Sequence, residues 1–246
     1  MHSPLPYVLA VVLLATLIRS AVGFGEALVA VPLLALRMPI RVAAPLAVLL
    51  SITIAAIVIA QDWRQVHARS AGWLVLATLP GIPIGLWLLT AVDGRVVKAL
   101  LGVVILAFAV YSLSRRAPPR LAHDHLAWLV GCGLCAGVLG GAYGMNGPPL
   151  VVYGTLRSWP PARFRATLQA YLLPASILGM AGYWAAGLWS HDVSAYFVRA
   201  LPVVLVGVVA GRAINRRLDG PSFARWVHGG LIVTAVALLA QAVAAA

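Results

Sequence analysis

Long runs of apolar residues follow one another along almost the whole chain, with short polar stretches between them. A helix needs about 20 apolar residues to cross a bilayer core of about 30 Å. Six runs of suitable length predict membrane-spanning helices. They cover residues 42–60, 71–91, 95–113, 164–187, 195–211 and 225–244.

Two further apolar regions, 5–36 and 125–156, are longer than one span and are interrupted by glycines. The interruptions are Gly23-Phe24-Gly25 and Gly140-Gly141-Ala142-Tyr143-Gly144. Glycine weakens a helix and permits backbone angles that other residues avoid. Each region is therefore predicted to form a helix followed by a short, broken or re-entrant one. The short helices are expected over residues 26–37 and 147–157.

The two halves of the chain carry the same landmarks in the same order. Gly23 and Gly144 lie 121 positions apart, and so do Pro39 and Pro160. The other pairs are Arg41 with Arg163, Ala44 with Ala166, Gly81-x-x-x-Gly85 with Gly207-x-x-x-Gly211, and Asp93-Gly94 with Asp219-Gly220. These pairs predict a duplication with repeats over 1–116 and 117–246, the alternative being chance matches between common glycines.

Basic residues crowd four of the predicted connections, which favours the cytoplasmic side for those connections. They are Arg64, Arg69, Arg115, Arg116, Arg120, Arg157, Arg163, Arg165, Arg212, Arg216, Arg217 and Arg225, against Arg37, Arg41, Arg95 and Lys98 on the other side. Both termini are then periplasmic. Because each repeat has five segments, an odd number, the second repeat is predicted to be inverted. Inverted repeats with broken helices beside a site at their interface are typical of secondary transporters.

The composition indicates lipid surroundings and changes the meaning of the charge. Apolar residues make up 62% and charged residues 10% of the chain, whereas a soluble domain carries about 25% charged residues. A net charge of +12 would suggest a nucleic-acid partner in a soluble protein. Here the basic residues lie in short loops, so we expect no nucleic acid. The sequence predicts an all-α polytopic membrane protein in contact with lipid.

Two glycine-rich stretches carry a family resemblance. They are Gly23-Phe24-Gly25-Glu26-Ala27-Leu28-Val29-Ala30-Val31-Pro32-Leu33-Leu34, and Gly144-Met145-Asn146-Gly147-Pro148-Pro149-Leu150-Val151-Val152-Tyr153 followed by Arg163-Phe164-Arg165-Ala166-Thr167. With them the chain resembles the sulfite exporter TauE/SafE family over nearly its whole length. The resemblance implies a bacterial inner-membrane transporter that exports small sulfur-containing or organic anions, such as sulfite or sulfoacetate. Glu26 and Asn146 stand where many members carry glycine.

The glycine breaks are the predicted substrate site. A helix that starts inside the membrane presents free N–H groups and a positive dipole end, which suit an anion, and Pro148 and Pro149 suit a first helical turn. The alternative is that the glycines only allow tight helix packing. The candidate substrate-binding residues are Arg19, Gly23, Phe24, Gly25, Glu26, Gly144, Met145, Asn146, Gly147, Pro148, Tyr153, Arg165 and Gln169.

Arg19 and Glu26 are charges inside an apolar region, on either side of the first break and expected near the middle of the membrane. Such charges are costly and are functional candidates. Arg19 would bind the anion, with Glu26 providing a proton coupling, or it would simply neutralise Glu26. We expect no metal site, no cofactor and no ATP hydrolysis, because ligand clusters and a nucleotide-binding motif are absent from the sequence. A membrane enzyme and an assembly scaffold are the alternatives to a transporter, and a homodimer is a possible arrangement.

Overall fold

The structure, a computed structural model, describes residues 5–62, 68–113, 125–157 and 161–215, together with positions 232, 236, 239 and 240. These described residues form ten α-helices and connecting turns, without strands, which confirms the predicted all-α class. The helices are α1 Leu5–Val22, α2 Glu26–Ala35, α3 Ile40–Asp62, α4 Ala68–Thr78, α5 Gly81–Ala91, α6 Gly94–Leu113, α7 Leu126–Tyr143, α8 Gly147–Leu156, α9 Pro161–Ala185 and α10 His191–Asn215. The predicted span 225–244 falls almost wholly outside the described residues.

Five stretches of the described residues are long and apolar enough to cross a membrane. They are Ile40–Ile57, Ser70–Ala91, Gly94–Tyr111, Leu126–Tyr143 and His191–Gly211. A turn at Leu79 and Pro80 divides the second of these into α4 and α5, because proline lacks the N–H that a continuing helix needs. The predicted span 164–187 extends two residues beyond α9, which has 25 residues. This helix is not among the five, since it mixes polar residues with apolar ones.

Glycines break the helices in both predicted regions. α1 ends at Val22 and α7 at Tyr143, and the backbone then takes left-handed φ angles of 96° at Gly23 and 67° at Gly144. Such angles suit glycine because it has no Cβ. The short helices α2 and α8 have ten residues each, which corresponds to about 15 Å, or half of a bilayer core. Within the second interruption only Gly144 ends the helix, since Gly140 and Gly141 remain inside α7.

The helix bounds recur along the chain. α7 begins and ends 121 positions after α1, and α8 begins and ends 121 positions after α2. α9 also begins 121 positions after α3. The succession of long helix, glycine break, short helix and long helix therefore occurs twice.

The chain folds into two compact units, and neither follows the sequence halves. Unit 1 comprises Met1–Ala47, Ala91–Arg115 and Trp189–Ala246, and unit 2 comprises Val48–Thr90 and Arg116–Leu188. Each unit thus combines helices from both halves. The boundaries of the two sequence repeats stay a prediction.

In unit 1, α1 packs closely along α10. A Cβ added to Gly207 would meet the side chain of Thr16, and one added to Gly211 would meet Ser20 and the backbone of Leu17. Position 16 is thus paired with 207 and position 20 with 211, so the two helices run parallel. Small residues permit this close approach of backbones.

In unit 2, α7 packs in the same manner along α4 and α5. A Cβ added to Gly81 would overlap the backbone at Gly137, and one added to Gly85 would overlap the backbone around Gly141. These helices are also parallel, because the contacts advance in the same direction along both. The glycines of this contact fit the tight-packing alternative, and none of the four belongs to the predicted site.

We expect Gly85→Ala to lower the thermal midpoint of unfolding of the detergent-solubilised protein, because its Cβ has no space beside Val138 and Ala142. Overpacking of this kind costs about 1–3 kcal/mol. Gly72→Ala in the same candidate span is the matched control, since nothing lies within 4 Å of its added Cβ. Equal midpoints for the two variants would show that the α5–α7 contact is looser than described.

Candidate functional site

The break between α1 and α2 brings Arg19 and Glu26 into contact. Nη1 of Arg19 donates a hydrogen bond to Oε1 of Glu26, across seven positions of sequence. Both side chains are buried, at 0% and 6% exposure. The Gly23 N–H donates to the Arg19 carbonyl at 2.6 Å and closes the last turn of α1, and Gly25, at a φ of 101°, starts the chain back along α2. Of the two interpretations of Arg19, neutralisation of Glu26 is therefore present in this structure.

The electrostatic surroundings of Glu26 favour a negative charge at this point. Glu26 is the first residue of α2, and its helix has no side-chain cap at Gly25. The first N–H groups of a helix lack intrahelical partners and carry the positive end of its dipole. A negative group at the start of α2 thus interacts with the guanidinium of Arg19 and with the helix end. An oxyanion would find the same two stabilising features there.

The other end of the α1–α2 hairpin is closed by Tyr7. Its hydroxyl donates to the carbonyl of Leu33 at 2.5 Å, and the guanidinium of Arg37 lies 4.8 Å from the centre of its ring. Cation–π contacts of this type are attractive. The hairpin is thus fixed at its open end by Tyr7 and at its break by the Arg19–Glu26 pair.

The level of the first break follows from the contact of α1 with α10. Ser20 lies against Gly211, and Gly211 is the last residue of the candidate span His191–Gly211. The Arg19–Glu26 pair is therefore level with the end of that span, and not with its middle as the sequence suggests. The reason is that α1, with 18 residues, is itself about 27 Å long and nearly crosses a bilayer core before it breaks.

The break between α7 and α8 has a different chemical character, because the sequence from 126 to 156 contains no charged residue. Tyr183 of α9 donates its hydroxyl proton to the carbonyl of Gly140 at 2.8 Å, and the Gly144 N–H donates to the same carbonyl at 2.8 Å. Tyr183 is fully buried. The last turn of α7 is thus held by a neutral tyrosine, whereas the last turn of α1 has a charged pair nearby.

Asn146 is buried at the second break, and unit 2 contains a second buried tyrosine, Tyr171. The Tyr171 hydroxyl is 2.8 Å from Oγ1 of Thr78. Gly140 makes room for the Asn146 amide, since a Cβ there would overlap it. Asn146 is among the residues predicted from the sequence. Tyr171 and Thr78 are not, because they stand alone in apolar helices without a local motif.

The start of α8 offers fewer backbone donors than an ordinary helix start. Four N–H groups are normally free at the start of a helix. In α8 the second and third residues are Pro148 and Pro149, which have no N–H. The prolines do suit the first helical turn, but they also remove two of the groups that would bind an anion.

The remaining predicted residues are divided between the units. Arg19, Gly23, Gly25 and Glu26 meet at the first break, with Phe24 half-buried beside them, and Gly144, Met145, Asn146, Gly147 and Pro148 meet at the second. Tyr153 is fully buried in α8, and Gln169 is 2% exposed in α9. The side chain of Arg165 lies outside the described part of the chain. The expectation of one site at the interface of the two repeats involves both units and stays a prediction.

These features define a class of protein, a polytopic membrane protein with two glycine-broken helical hairpins and buried polar groups at the breaks. Among the described residues no group of three or more His, Cys, Asp and Glu side chains is placed to hold a metal ion. The family described as "Sulfite exporter TauE/SafE" matches residues 8–238, and the chain belongs to this family. The family resemblance found in the sequence is thus confirmed, and the family is one of exporters and not of enzymes.

Two curated relatives are similar over most of their length. The probable inner membrane transporter protein TsaS of Comamonas testosteroni is 29% identical over 184 residues, which are 72% of this chain and 74% of the relative. The probable sulfite/organosulfonate exporter TauE of Cupriavidus necator is 25% identical over 188 residues, which are 75% and 71% of the two chains. No solved structure matches the chain significantly. Family, relatives and apolar helices together support a multi-pass transporter of the inner membrane.

Proposed function

We propose that this protein is a secondary transporter that exports small sulfur-containing anions, such as sulfite or an organosulfonate, and that its charged site is the Arg19–Glu26 pair. The observation that carries this proposal is the position of the Arg19 guanidinium. It is buried and contacts Glu26, the first residue of α2. A guanidinium and free helix N–H groups both suit a tetrahedral or pyramidal oxyanion. The name of the relative from Cupriavidus necator supports the sulfur-containing class.

Anion binding at this site would be linked to protonation of Glu26. An anion that takes the hydrogen bonds of Arg19 displaces the carboxylate, which then lies buried and next to a second negative charge. Since an unpaired buried charge is very unfavourable, Glu26 takes up a proton as the anion binds. The membrane potential, at about 2.3 kcal/mol per charge for each 100 mV, already drives an anion out of the cell. The protonation of Glu26 is therefore not needed as a driving force. It controls whether the site is occupied by the anion and so makes the flux dependent on pH.

The helix contacts support the proposed duplication. Gly81 and Gly85 pack on α7, and Gly207 and Gly211, which lie 126 positions later, pack on α1. Both α1 and α7 precede a glycine break. The residues contacted on α1 and on α7 are 121 positions apart. The equivalent contacts are Gly207 on Thr16 with Gly81 on Gly137, and Gly211 on Ser20 with Gly85 on Gly141. Equivalent turns of the two halves therefore make equivalent contacts, which supports a duplication over chance matches between glycines.

The direction of the helices supports the proposed topology, with both termini periplasmic. In unit 1 the parallel helices α1 and α10 begin on the same side, and the sequence before each of them contains no Lys or Arg within residues 1–4 and 186–190. In unit 2 the parallel helices α4 and α7 also begin on one side, and Arg-containing connections at 63–67 and 114–124 precede them. Basic loops are retained in the cytoplasm.

Thiol labelling tests this topology. With Cys132 and Cys135 replaced by serine, we expect Pro118→Cys to react with a membrane-impermeant maleimide only after the membrane is opened. Ala244→Cys should react in intact spheroplasts. Labelling of both positions from the same side would contradict the inverted repeat.

A thermal-shift screen of the purified protein tests the substrate class. We expect sulfite and sulfoacetate to raise the thermal midpoint of unfolding in a concentration-dependent manner, because a ligand that binds only the folded state stabilises it. Acetate and malonate are the matched carboxylates. A shift with the carboxylates alone would show that the substrates are organic anions and not the proposed sulfur-containing ones. A scaffold would show no shift with any of them, and an enzyme would convert one of the compounds into a product.

A further inference from the structure

Four tryptophans of unit 2 are exposed. They are Trp73 of α4, Trp87 of α5, Trp128 of α7 and Trp184 of α9. An indole combines a large apolar ring with one N–H donor, so it is most stable where acyl chains meet the polar headgroups of a bilayer. The levels of these side chains along the helices therefore mark where the membrane surfaces lie.

Two contacts fix the level of α7 relative to α4 and α5. A Cβ added to Gly133 would meet Ala77, and one added to Gly85 would overlap the backbone next to Gly141. In both contacts the α7 residue lies 56 positions after its partner, so the same register applies along α4 and α5. The tryptophan of α7 is thus within one residue of the level of the tryptophan of α4. We call this the first level.

The helix α9 runs in the same direction as α4 and α5. Its Tyr171 hydroxyl meets Thr78, and a Cβ added to its Gly182 would meet the side chain of Leu86. The tryptophans of α9 and α5 follow this last contact within two residues. They therefore lie together at a second level, near the opposite end of the candidate span.

The surface between the two levels is apolar. Fourteen residues separate the tryptophans of α4 and α5, and the same register along the continuous helix α7 corresponds to about 21 Å. A bilayer core of about 30 Å accommodates a shorter apolar band by thinning locally. The large exposed side chains within this band are Leu76, Leu79, Ile84, Val130 and Ile177.

Charged residues lie only outside this band in the sequences of the four helices. Residues 70–92, 126–156 and 166–190 contain none. An apolar band with indoles at both of its edges and charges beyond them is the pattern of a surface that faces lipid.

The second glycine break coincides with the second level. In the register of 56 positions Gly144 is level with position 88, directly beside Trp87. The first turn of α8 begins three residues further on, at Gly147.

We infer that this face of unit 2 contacts the acyl chains of the bilayer and that the break at Gly144 lies at a membrane surface, at the level of the lipid headgroups. The short helix α8 then starts at a membrane–water interface and not at the bilayer centre. In the proposed topology this interface is the periplasmic one. The depth itself follows from the exposed side chains and is independent of the transported substrate.

Quenching of tryptophan fluorescence by brominated lipids measures this depth in proteoliposomes. Variants keep only Trp87 or only Trp184, with every other tryptophan replaced by phenylalanine. The matched control is Ile177→Trp in the tryptophan-free chain, because Ile177 is exposed on α9 and lies about 10.5 Å before Trp184, midway between the two levels. We expect bromines near the headgroups to quench Trp87 and Trp184 most, and bromines near the chain ends to quench the Ile177→Trp variant most.

Two outcomes of this experiment would overturn the inference. Strongest quenching of Trp87 and Trp184 by the deep bromines would place the break within the hydrocarbon. Absence of quenching by every brominated lipid would show that protein, such as a second copy of the chain, covers this face.

A second measurement keeps the other tryptophans in place. With Cys132 and Cys135 replaced by serine, Trp184→Cys and Ile177→Cys are each treated with a water-soluble maleimide in native membranes. We expect Trp184→Cys to react more than about tenfold faster, because apolar surroundings suppress the reactive thiolate. Similar rates for the two variants would contradict the inferred depth. Neither measurement uses transport, so a wild-type protein that exports no sulfite would refute the proposed function and leave this inference in place.

Discussion

We expect Arg19→Ala to abolish anion flux, while the protein still inserts into the membrane. If the guanidinium donates two charge-assisted hydrogen bonds to the anion, as proposed, and each contributes about 1.5–3 kcal/mol, we expect a loss of more than about a hundredfold. The measurement is labelled sulfite efflux from proteoliposomes with equal amounts of reconstituted protein. Arg199→Gln is the matched control, because Arg199 is an exposed arginine on α10.

A second variant separates the loss of binding from the loss of folding. Arg19→Ala leaves Glu26 buried without its partner, and breaking a buried pair from one side costs about 3–5 kcal/mol. The double variant Arg19→Gln with Glu26→Gln has no buried charge, so it should fold and still fail to transport. If Arg19→Ala transports at the wild-type rate, Arg19 is only the counter-ion of Glu26. The anion site at this break must then rest on the N–H groups of α2.

Glu26→Gln has the second large effect that we expect, the loss of the pH dependence of flux. Glutamine has nearly the same shape as glutamate but neither carries a negative charge nor takes up a proton. Arg19 then no longer has a carboxylate competing with the anion, so binding persists and flux stays constant across the pH range in which wild-type flux changes. The measurement is initial efflux rate against pH in matched proteoliposomes.

The control for this experiment is Asp93→Asn. Asp93 is an exposed carboxylate whose Oδ1 accepts a hydrogen bond from the Arg95 backbone at 2.8 Å. The Asp93→Asn variant should keep the wild-type dependence of flux on pH. If Glu26→Gln also keeps the wild-type profile, protonation of Glu26 is not linked to transport.

The helical architecture was predictable from the sequence because length and hydrophobicity decide which segments enter a bilayer. Glycine also marked both hairpins, since Gly23 and Gly144 adopt left-handed angles. Gly141 did not break its helix, and the reason is packing against α5, which depends on a distant segment. The turn at Pro80 was missed because the hydrophobic run continues across it.

The two glycine breaks differ in how far the sequence reveals the contacts around them. Arg19 and Glu26 stand close together on either side of a visible glycine break, so their contact follows from local geometry. Tyr171 and Thr78 lie far apart in sequence, and only the packing of α4 against α9 brings their hydroxyl groups together. Pro148 shows a further limit, because a residue that correctly predicts a helix start also removes an anion-binding N–H.

The most direct test measures efflux of labelled sulfite from proteoliposomes under an inside-negative potential. Three preparations are compared, which contain the wild-type protein, the double variant Arg19→Gln with Glu26→Gln, or no protein. We expect saturable efflux from the wild-type vesicles alone, with the double variant no faster than the empty vesicles. Efflux from wild-type vesicles that equals the leak of empty ones would contradict sulfite transport, and saturable efflux by the double variant would contradict the site at Arg19 and Glu26.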